Sequence, residues 1–374
     1  MTFGFLKKID WVLVFSILLI SFFGLLTMNS FSANNAFFSK QILWLSISFI
    51  VMIVSSFFDW KFLKKTGFVM FLYGLSVFLL LFLFIVGSVF KGAQSWFDLG
   101  ALSFQPVDFA KLATIILLAK YFSRRHIEIA NIKHILVSGF YTFIVFLLVF
   151  LQPDFGSAII IFSIWLCLIF VSGISKKHLL GVFLIGLTCF GFLWQFVFKP
   201  YQKERIMNFV NPMADISGGG YNVYQSTIAI GSGQVFGKGI GLGSQSKLKF
   251  LPEYQTDFIF SAFAEEWGFV GVIIIFVLFT IVLVKIIRIS LKGESNFEIL
   301  FGVGIFILLS VHITINIGMT IGLLPVTGNT LPFMSYGGSH LLNEFLAIGI
   351  LMGMNRRSRS IHKDIASNEI IGLS

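Results

Sequence analysis

Residues 221–267 read YNVYQSTIAIGSGQVFGKGIGLGSQSKLKFLPEYQTDFIFSAFAEEW, and they join a polar, glycine-rich segment to the start of a long apolar run. The run continues to about residue 287 and is long enough to cross the roughly 30 Å hydrocarbon core of a bilayer. Asp257 stands at the junction, where an ionisable side chain enters a membrane segment. Because such a side chain is costly there, it indicates a functional site by default.

The composition of the whole chain is typical of a membrane protein. Of its 374 residues, 57% are hydrophobic and 12% are charged. The net charge is +10, but lysine and arginine lie mostly in short loops between apolar runs. This placement favours a role in membrane orientation over nucleic-acid binding. Cys167 and Cys189 lie inside apolar runs and form no disulfide or metal-ligand spacing.

Apolar runs of nearly membrane-spanning length recur along the chain. They occupy residues 11–29, 41–58, 67–89, 106–122, 134–151, 157–174, 179–198, 258–287, 298–320 and 337–354. The pattern predicts an all-α, polytopic integral membrane protein with about ten transmembrane helices and residues 1–374 in a single membrane domain. The first run is interpreted as a span and not as a signal peptide, because equally long runs follow and no small-residue cleavage site closes it.

Lysine and arginine are distributed unequally between the two sets of loops. One set, which includes both ends of the chain, holds Lys7, Lys8, Lys61, Lys64, Lys65, Arg124, Arg125, Lys133, Lys176, Lys177, Lys285, Arg288, Lys292, Arg356, Arg357, Arg359 and Lys363. The other set holds only Lys40 and Lys91 outside the long loop at about 199–256. The positive-inside rule therefore predicts cytoplasmic termini and an extracytoplasmic 199–256 loop between spans seven and eight. A loop of this length is usually functional or disordered. Its short apolar turns, between Val223 and Ile230, and its glycine spacing favour a folded element that lies on the surface.

Four polar clusters fall on the predicted outer face of the membrane. They occupy residues 92–111, 152–157, 199–256 and 323–339. Their convergence on one face is the main indication of a site. Within the first cluster, Asp108 and Lys111 are three residues apart at the start of a helix, so they share a face and can pair. The pair is interpreted either as a structural ion pair or as a site for an anionic head group.

Asp257 leads into the eighth apolar run, with Ser261 and Glu265 as the next polar positions on that side. Thr256 and Asp257 both favour helix N-termini, so capping and catalysis remain alternatives. Poor hydration at a membrane boundary makes a carboxylate a better proton acceptor, as a general base requires.

Other polar positions lie inside apolar runs. Glu265 and Glu266 are adjacent and cannot face the same way on a helix, so we expect one of them to meet a polar interior. His312, Asn316 and Thr320 recur every four residues and predict hydrogen bonds between helices, with a substrate path as the alternative. The glycine-rich segment fails the GxxxxGK[ST] pattern and predicts no nucleotide site.

At these residues the chain resembles the SEDS family of cell-shape and division proteins, and its RodA branch more than its FtsW branch. The motifs are GAQSWFDLG (92–100), FQPVDFAKL (104–112), QPDFGSA (152–158), YQKERI (201–206), GYNVYQSTIAIGSG (220–233), LPEYQTDFIF (251–260), AEEWG (264–268) and NIGMTIGLLPVTGNTLPFMSYGGS (316–339). They are spread over essentially the whole chain. The GKG at 237–239 and the NIGM at 316–319 favour the RodA branch.

The resemblance implies a peptidoglycan glycosyltransferase that polymerises lipid II outside the bacterial cytoplasmic membrane during cell elongation. It implies Asp257 as the essential acid and general base, and Asp108 with Lys111 as the acid–lysine pair of the site. We also expect a divalent cation, Mg²⁺ or Mn²⁺, at Asp257. The residues expected to bind lipid II or the undecaprenyl-linked glycan strand are Arg205, Gln105, Gln152, Asp154, Gln225, Ser335, Tyr336 and Ser339. The implied partner is a class B penicillin-binding protein, and no nucleic acid is expected.

Three positions depart from the family pattern. Asp108 stands where many relatives have Glu, which shortens the reach of the acid by one methylene. Ser95 replaces a basic residue, and His340 replaces a small residue after YGGS. A flippase or transporter of the lipid-linked precursor is the main alternative function, and it predicts midplane charges and an inverted repeat. A scaffold without activity is a further alternative, which leaves Asp257 and Asp108 without a role.

Overall fold

The computed structural model of the chain describes the backbone of residues 9–30, 36–90, 93–98, 103–124, 132–196, 198, 200–210, 220–248 and 250–371. Within these ranges, side chains are left out at residues 36, 88–90, 93, 94, 98, 176, 189, 200, 201, 205, 206 and 357–371. The described part of the chain is helical almost throughout, as the apolar runs predict.

The helices follow the order of the sequence. They are α1 (Trp11–Ser30), α2 (Ala36–Phe57), α3 (Thr66–Val86), α4 (Pro106–Ser123), α5 (Ile132–Leu151), α6 (Phe155–Val171), α7 (Lys176–Phe196), α8 (Pro200–Val210), α9 (Tyr221–Ser232), α10 (Ser244–Lys247), α11 (Ile259–Ser290), α12 (Asn296–Thr320) and α13 (Gly338–Ile371). Every predicted apolar run coincides with a helix. Within the described ranges, seven helices are long and apolar enough to cross a membrane, namely α1, α2, α3, α5, α7, α11 and α12.

Two features differ from the prediction. Helix α13 continues to Ile371, well past the predicted end of the apolar run, because hydropathy marks the apolar part of a helix and not its last residue. A small antiparallel sheet precedes α4, formed by β1 (Ser88–Phe90), β2 (Ala93–Asp98) and β3 (Ser103–Phe104) in that order. The chain is therefore not purely helical between α3 and α4.

Helix α4 lies at the centre of the bundle. It contacts α3, α5, α6, α12 and α13, and its side chains are buried along nearly its whole length. Large apolar side chains on the outer helices are instead exposed, for example Phe71 on α3 and Phe140 on α5. An apolar outer surface of this kind is what a lipid environment requires. The polar residues of the central helix α4 lie instead in the interior of the protein.

The segment between α9 and α11 is folded onto α11. Helix α11 is broken at Gly268, where φ is 64° and ψ is −164°. The amide of Phe269 donates to the carbonyl of Gln234 at 2.9 Å, and the amide of Val270 donates to the carbonyl of Val235 at 3.1 Å. Backbone groups released by the break are thus satisfied by the loop, which confirms the prediction of a folded element here.

Glu265 and Glu266 of α11 are both buried, so Glu265 meets a polar interior, as expected of one of the pair, and its neighbour is buried as well. The physical reason is that the folded loop covers the second face of the helix. The amide of Gly241 donates to Glu266 Oε1 at 2.7 Å. The Glu265 carboxylate accepts hydrogen bonds from groups of the same loop, namely those of Ser232, Lys238, Ser244, Gln245 and Ser246.

Candidate active site

Asp257 is half-buried in the turn that leads into α11. Phe258 occupies the N-cap position of α11 and makes no side-chain capping bond, so Asp257 stands one residue ahead of the cap. Asn316 of α12 donates from Nδ2 to the backbone carbonyl of Asp257 at 2.9 Å. A Cβ placed at Gly328, where φ is 74°, would lie 3.6 Å from Asp257 Oδ2. Gly328 is therefore a close neighbour of the carboxylate.

The segment between α12 and α13 packs against this turn. Ser335 Oγ donates to the carbonyl of Thr256 at 2.6 Å, and the amide of Tyr336 donates to the carbonyl of Gln255 at 2.9 Å. Gln41 of α2 donates from Nε2 to the carbonyl of Ser335 at 3.0 Å. Two of the predicted substrate-binding residues, Ser335 and Tyr336, are therefore held next to the Asp257 turn.

The ring of Tyr336 lies edge-on to Phe37 of α2, with ring centroids 4.9 Å apart. Burial raises the pKa of the Tyr336 hydroxyl above its ordinary value of 10.0. The hydroxyl therefore stays protonated at neutral pH and can donate a hydrogen bond.

Asp108 and Lys111 lie in the first turns of α4 and are 4% and 3% exposed. Lys111 Nζ is 3.1 Å from Asp108 Oδ1, as their spacing predicts, and 3.5 Å from His312 Nε2 of α12. His312 precedes Asn316 by four residues, so the two are one helical turn, or about 6 Å, apart along α12. One turn of α12 thus contacts Lys111, and the next holds the backbone of Asp257.

Gln105 joins two further clusters to the start of α4. Its amide donates to Ser339 Oγ of α13 at 3.2 Å, and its Nε2 donates to Asp154 Oδ2 at 3.4 Å. Asp154 also caps α6, because its Oδ1 accepts a hydrogen bond from the amide of Ser157. Polar residues from two loops and from the first turn of α13 therefore meet where α4 begins.

The remaining predicted residues are placed differently. Gln152 is buried and donates from Nε2 to the carbonyl of Leu80 at 2.7 Å, which ties the end of α5 to α3. Gln225 is half-buried on α9, beside Ser226, which bonds to Ser261 of α11 and to the carbonyl of Thr320. Arg205 belongs to α8, and its side chain lies outside the described residues.

Sequence reasoning missed the partners of Asp108 on α13. His340 Nδ1 lies 3.2 Å from Asp108 Oδ1, and His340 Nε2 lies 3.0 Å from Glu344 Oε1. The sequence did contain a signal, because a His and a Glu four residues apart in an apolar run share one helix face. What it could not show is that this face meets the start of α4.

The arrangement joins a half-buried carboxylate and a buried ammonium through one helix. A carboxylate in such a place can accept a proton from an attacking hydroxyl group. A fixed ammonium can stabilise negative charge that develops on a leaving group. The site is therefore suited to transferring a group from an anionic leaving group to a hydroxyl.

The described residues offer little for an all-protein metal site, since no group of three or more His, Cys, Asp or Glu side chains is placed to hold an ion. Mg²⁺ is commonly bound by one or two carboxylates together with substrate phosphates. The half-buried Asp257 carboxylate would be the protein ligand in a site of that second kind.

Comparison with known proteins gives a consistent result. The family model for the cell cycle proteins FtsW, RodA and SpoVE matches residues 5–360. The chain is 37% identical over 365 residues to Stage V sporulation protein E of Bacillus subtilis (strain 168), covering 94% of this chain and 98% of that one. It is 37% identical over 300 residues to Peptidoglycan glycosyltransferase MrdB of Escherichia coli (strain K12), covering 80% of each.

Solved structures resemble the fold over most of its length. The crystal structure of Thermus thermophilus Rod shape determining protein RodA superposes with a TM-score of 0.71 at 29% identity, covering 93% of this chain and 97% of that one. A structure described as "Structural coordination of polymerization and crosslinking by a peptidoglycan synthase complex" gives a TM-score of 0.80 at 31% identity. It covers 93% of this chain and 98% of that one.

Proposed function

Because the chain belongs to the FtsW/RodA/SpoVE family of cell cycle proteins, we propose that it is a RodA-like peptidoglycan glycosyltransferase. It polymerises lipid II into glycan strands during cell elongation and shape maintenance. The membership confirms the resemblance to the SEDS proteins that the motifs indicate. The assignment of the site rests on one observation. Helix α12 contacts the Asp257 turn through Asn316 and contacts Lys111 through His312.

The proposed location is the bacterial cytoplasmic membrane, with the site on the outer face. The chain is a multi-pass membrane protein, and we extend its seven apolar helices to ten crossings by adding α4, α6 and α13. Helix α6 has 17 residues and α4 has 18, so both are close to the shortest length that crosses about 30 Å of hydrocarbon. The loop charges support cytoplasmic termini and an outer 199–256 loop.

In the proposed reaction, Asp257 accepts the proton of the 4-hydroxyl of the incoming lipid II disaccharide. The oxygen attacks C1 of the sugar at the lipid-linked end of the growing strand, and the bond from C1 to pyrophosphate breaks. Undecaprenyl pyrophosphate leaves with the electron pair, and the new glycosidic bond extends the strand. Lys111, held by Asp108, and Arg205 stabilise the negative charge of the departing pyrophosphate. A site at the membrane boundary lets the polyprenyl tails stay in hydrocarbon.

A divalent cation, Mg²⁺ or Mn²⁺, is part of the proposal. Asp257 would be its protein ligand, and the ion would supply positive charge for the leaving pyrophosphate.

We also propose a class B penicillin-binding protein as partner, supplying the transpeptidase that crosslinks the strands. The support is the similarity to a chain from a complex that coordinates polymerisation and crosslinking.

The test is polymerisation of labelled lipid II by the purified protein with its partner and a divalent cation. The parent protein is expected to make glycan polymer. Asp257→Ala and the isosteric Asp257→Asn are expected to make none, while their melting temperatures stay close to the parent value. If the Asp257→Asn protein folded and still polymerised lipid II, Asp257 would not be the general base. Transbilayer movement of lipid II without any polymer, from the parent protein, would favour a flippase instead.

A further inference from the structure

Residues 235–242 form the tip of the segment between α9 and α11 (the loop tip), and its large apolar side chains are exposed. Val235 and Ile240 are each 53% exposed, Leu242 is 64% exposed and Phe236 is 84% exposed. The other residues of the loop tip are three glycines and Lys238. So many large apolar side chains in a short segment are unfavourable in water, and they mark a surface that something else covers.

Two helices show how deep the loop tip lies. The start of α1 and the end of α11 are joined by Asp10 and Lys285, which pair at 3.0 Å. Helix α1 has 20 residues, so its far end at Ser30 is about 30 Å away, the thickness of the hydrocarbon core. A Cβ placed at Gly241 would lie 3.2 Å from the carbonyl oxygen of Ser30, so the loop tip contacts this far end. Along α11, Gly268 is likewise about 25 Å from Lys285. The loop tip therefore lies at the edge of the hydrocarbon core opposite the Asp10–Lys285 pair.

The exposed apolar surface of the loop tip continues onto α11. Phe269 and Val270, whose amides donate to the carbonyls of Gln234 and Val235, are both exposed. The exposed apolar residues that follow them on the same helix are Ile273, Ile274, Phe276 and Val277. Because this part of α11 is an apolar span with a surface that faces lipid, lipid also lies next to the loop tip.

The backbone of the loop tip is suited to an apolar medium. Five of its amides have acceptors within the protein, namely those of Gly237, Lys238, Gly239, Gly241 and Leu242. The amides of Lys238 and Gly239 donate to the carbonyls of Glu265 and Glu266, each at 3.0 Å. Polar groups that are already hydrogen-bonded can leave water at little cost.

The charge of Lys238 is also balanced. Its Nζ lies 2.9 Å from Oε1 of Glu265, whose side chain is fully buried. The pairing leaves no isolated charge at the loop tip, which would oppose contact with hydrocarbon. Lys247 lies just beyond the loop tip, in the last turn of α10, and is exposed. An ammonium in that position can reach the phosphate of a lipid head group.

We infer that the loop tip is a lipid anchor, which inserts Val235, Phe236, Ile240 and Leu242 into the bilayer where head groups meet acyl chains. The leaflet is the outer one under the proposed orientation, and the inference does not depend on the proposed reaction. Lipid is favoured over a docked protein because the exposed patch is continuous with the lipid-facing side of α11. Glu265 then has a clear role, since it supplies the acceptors and the counter-charge that let this segment leave water.

The experiment places a polarity-sensitive fluorophore at position 236. Phe236→Cys is combined with Cys167→Ala and Cys189→Ala, and the labelled protein is reconstituted at one copy per nanodisc without partner or substrate. Quenching is measured with iodide in the water and with a phospholipid that carries a nitroxide at the top of its acyl chain. Phe71→Cys on α3 is the lipid-exposed control, and Glu204→Cys, at an exposed charged residue of α8, is the water-exposed control.

A side chain buried roughly 5–10 Å into the boundary of head groups and acyl chains is out of reach of an aqueous ion. We therefore expect iodide to quench the label at position 236 at least about fivefold less than the label at position 204. The nitroxide lipid should quench it within about twofold of the label at position 71. Melting temperatures of the labelled proteins should agree, because all three replaced side chains are exposed. Iodide quenching at position 236 equal to that at position 204 would overturn the lipid anchor.

A protein occupant gives a different pattern. The loop tip would be a docking surface, and the lipid anchor would be wrong, if the label were open to iodide in single-copy nanodiscs and protected only after a second copy or the crosslinking partner was added. Protection that is complete in single-copy nanodiscs supports lipid as the occupant. A protein that makes no glycan polymer but shows the expected quenching would contradict the proposed function and leave the lipid anchor standing.

Discussion

Asn316 is the side chain on which the position of Asp257 depends most directly. It is fully buried, and its Nδ2 donates to the carbonyl of Asp257 at 2.9 Å and to the carbonyl of Asn329 at 2.6 Å. Asn316→Ala removes both hydrogen bonds and leaves a small cavity, which together should destabilise the site by about 2–4 kcal/mol. Since each 1.4 kcal/mol of lost positioning is about tenfold in rate, polymerisation should fall by roughly 30- to 700-fold.

The assay is the rate of lipid II polymerisation, measured alongside thermal unfolding in the same detergent or nanodisc. Thr320→Val is the matched control, because Thr320 lies one turn further along the same helix face. Its Oγ1 donates to the carbonyl of Ile317 in its own helix at 2.8 Å, so its loss should change the rate little. A folded Asn316→Ala protein that polymerises at the parent rate would refute the reasoning, since Asp257 would then keep its place without this anchor.

Two further predictions concern the outer loop and the cation. Glu265→Gln should loosen the loop at residues 232–248 by about 2 kcal/mol, because neutral Gln weakens the hydrogen bonds and the ion pair with Lys238. Tryptic cleavage within the loop should then accelerate by about tenfold or more, while exposed Glu204→Gln leaves it unchanged; equal cleavage of both would contradict the role of Glu265. Chelation of divalent cations should stop polymerisation, and Mg²⁺ or Mn²⁺ should restore it, whereas undiminished activity in chelator would exclude the cation from the proposal.

The sequence was most informative about the helices, because long apolar runs have few alternatives to a helix in lipid. It was least informative about the short strands between α3 and α4, which are too short to show a clear periodic pattern. The strands at Ser88–Phe90 and Ala93–Asp98 are short, and the Lys91-Gly92 pair between them in the sequence is not one of the dipeptides typical of two-residue hairpin turns.

Within the site, spacing along one helix predicted the pairing of Asp108 with Lys111, because both partners lie on α4. The polar stripe of α12 was also predicted to make contacts outside its own helix, and His312 and Asn316 do so. Which groups they meet depends on how α4, α11 and α12 pack together. No periodicity in a single helix carries that information, and for the same reason the contact between Asp108 and His340 was missed.

The break in α11 at Gly268 has a mechanical consequence. The break leaves the amides of Phe269 and Val270 without partners in their own helix, and they donate to the carbonyls of Gln234 and Val235. If the loop moved away, these amides would lose their acceptors in an apolar environment. The loop and the N-terminal part of α11 are therefore coupled through their backbones, and displacement of the loop acts on the helix that begins next to Asp257. Under the proposed function, a crosslinking partner that bound this loop would act on the helix beside the general base, which is a physical route for coordinating crosslinking with strand synthesis.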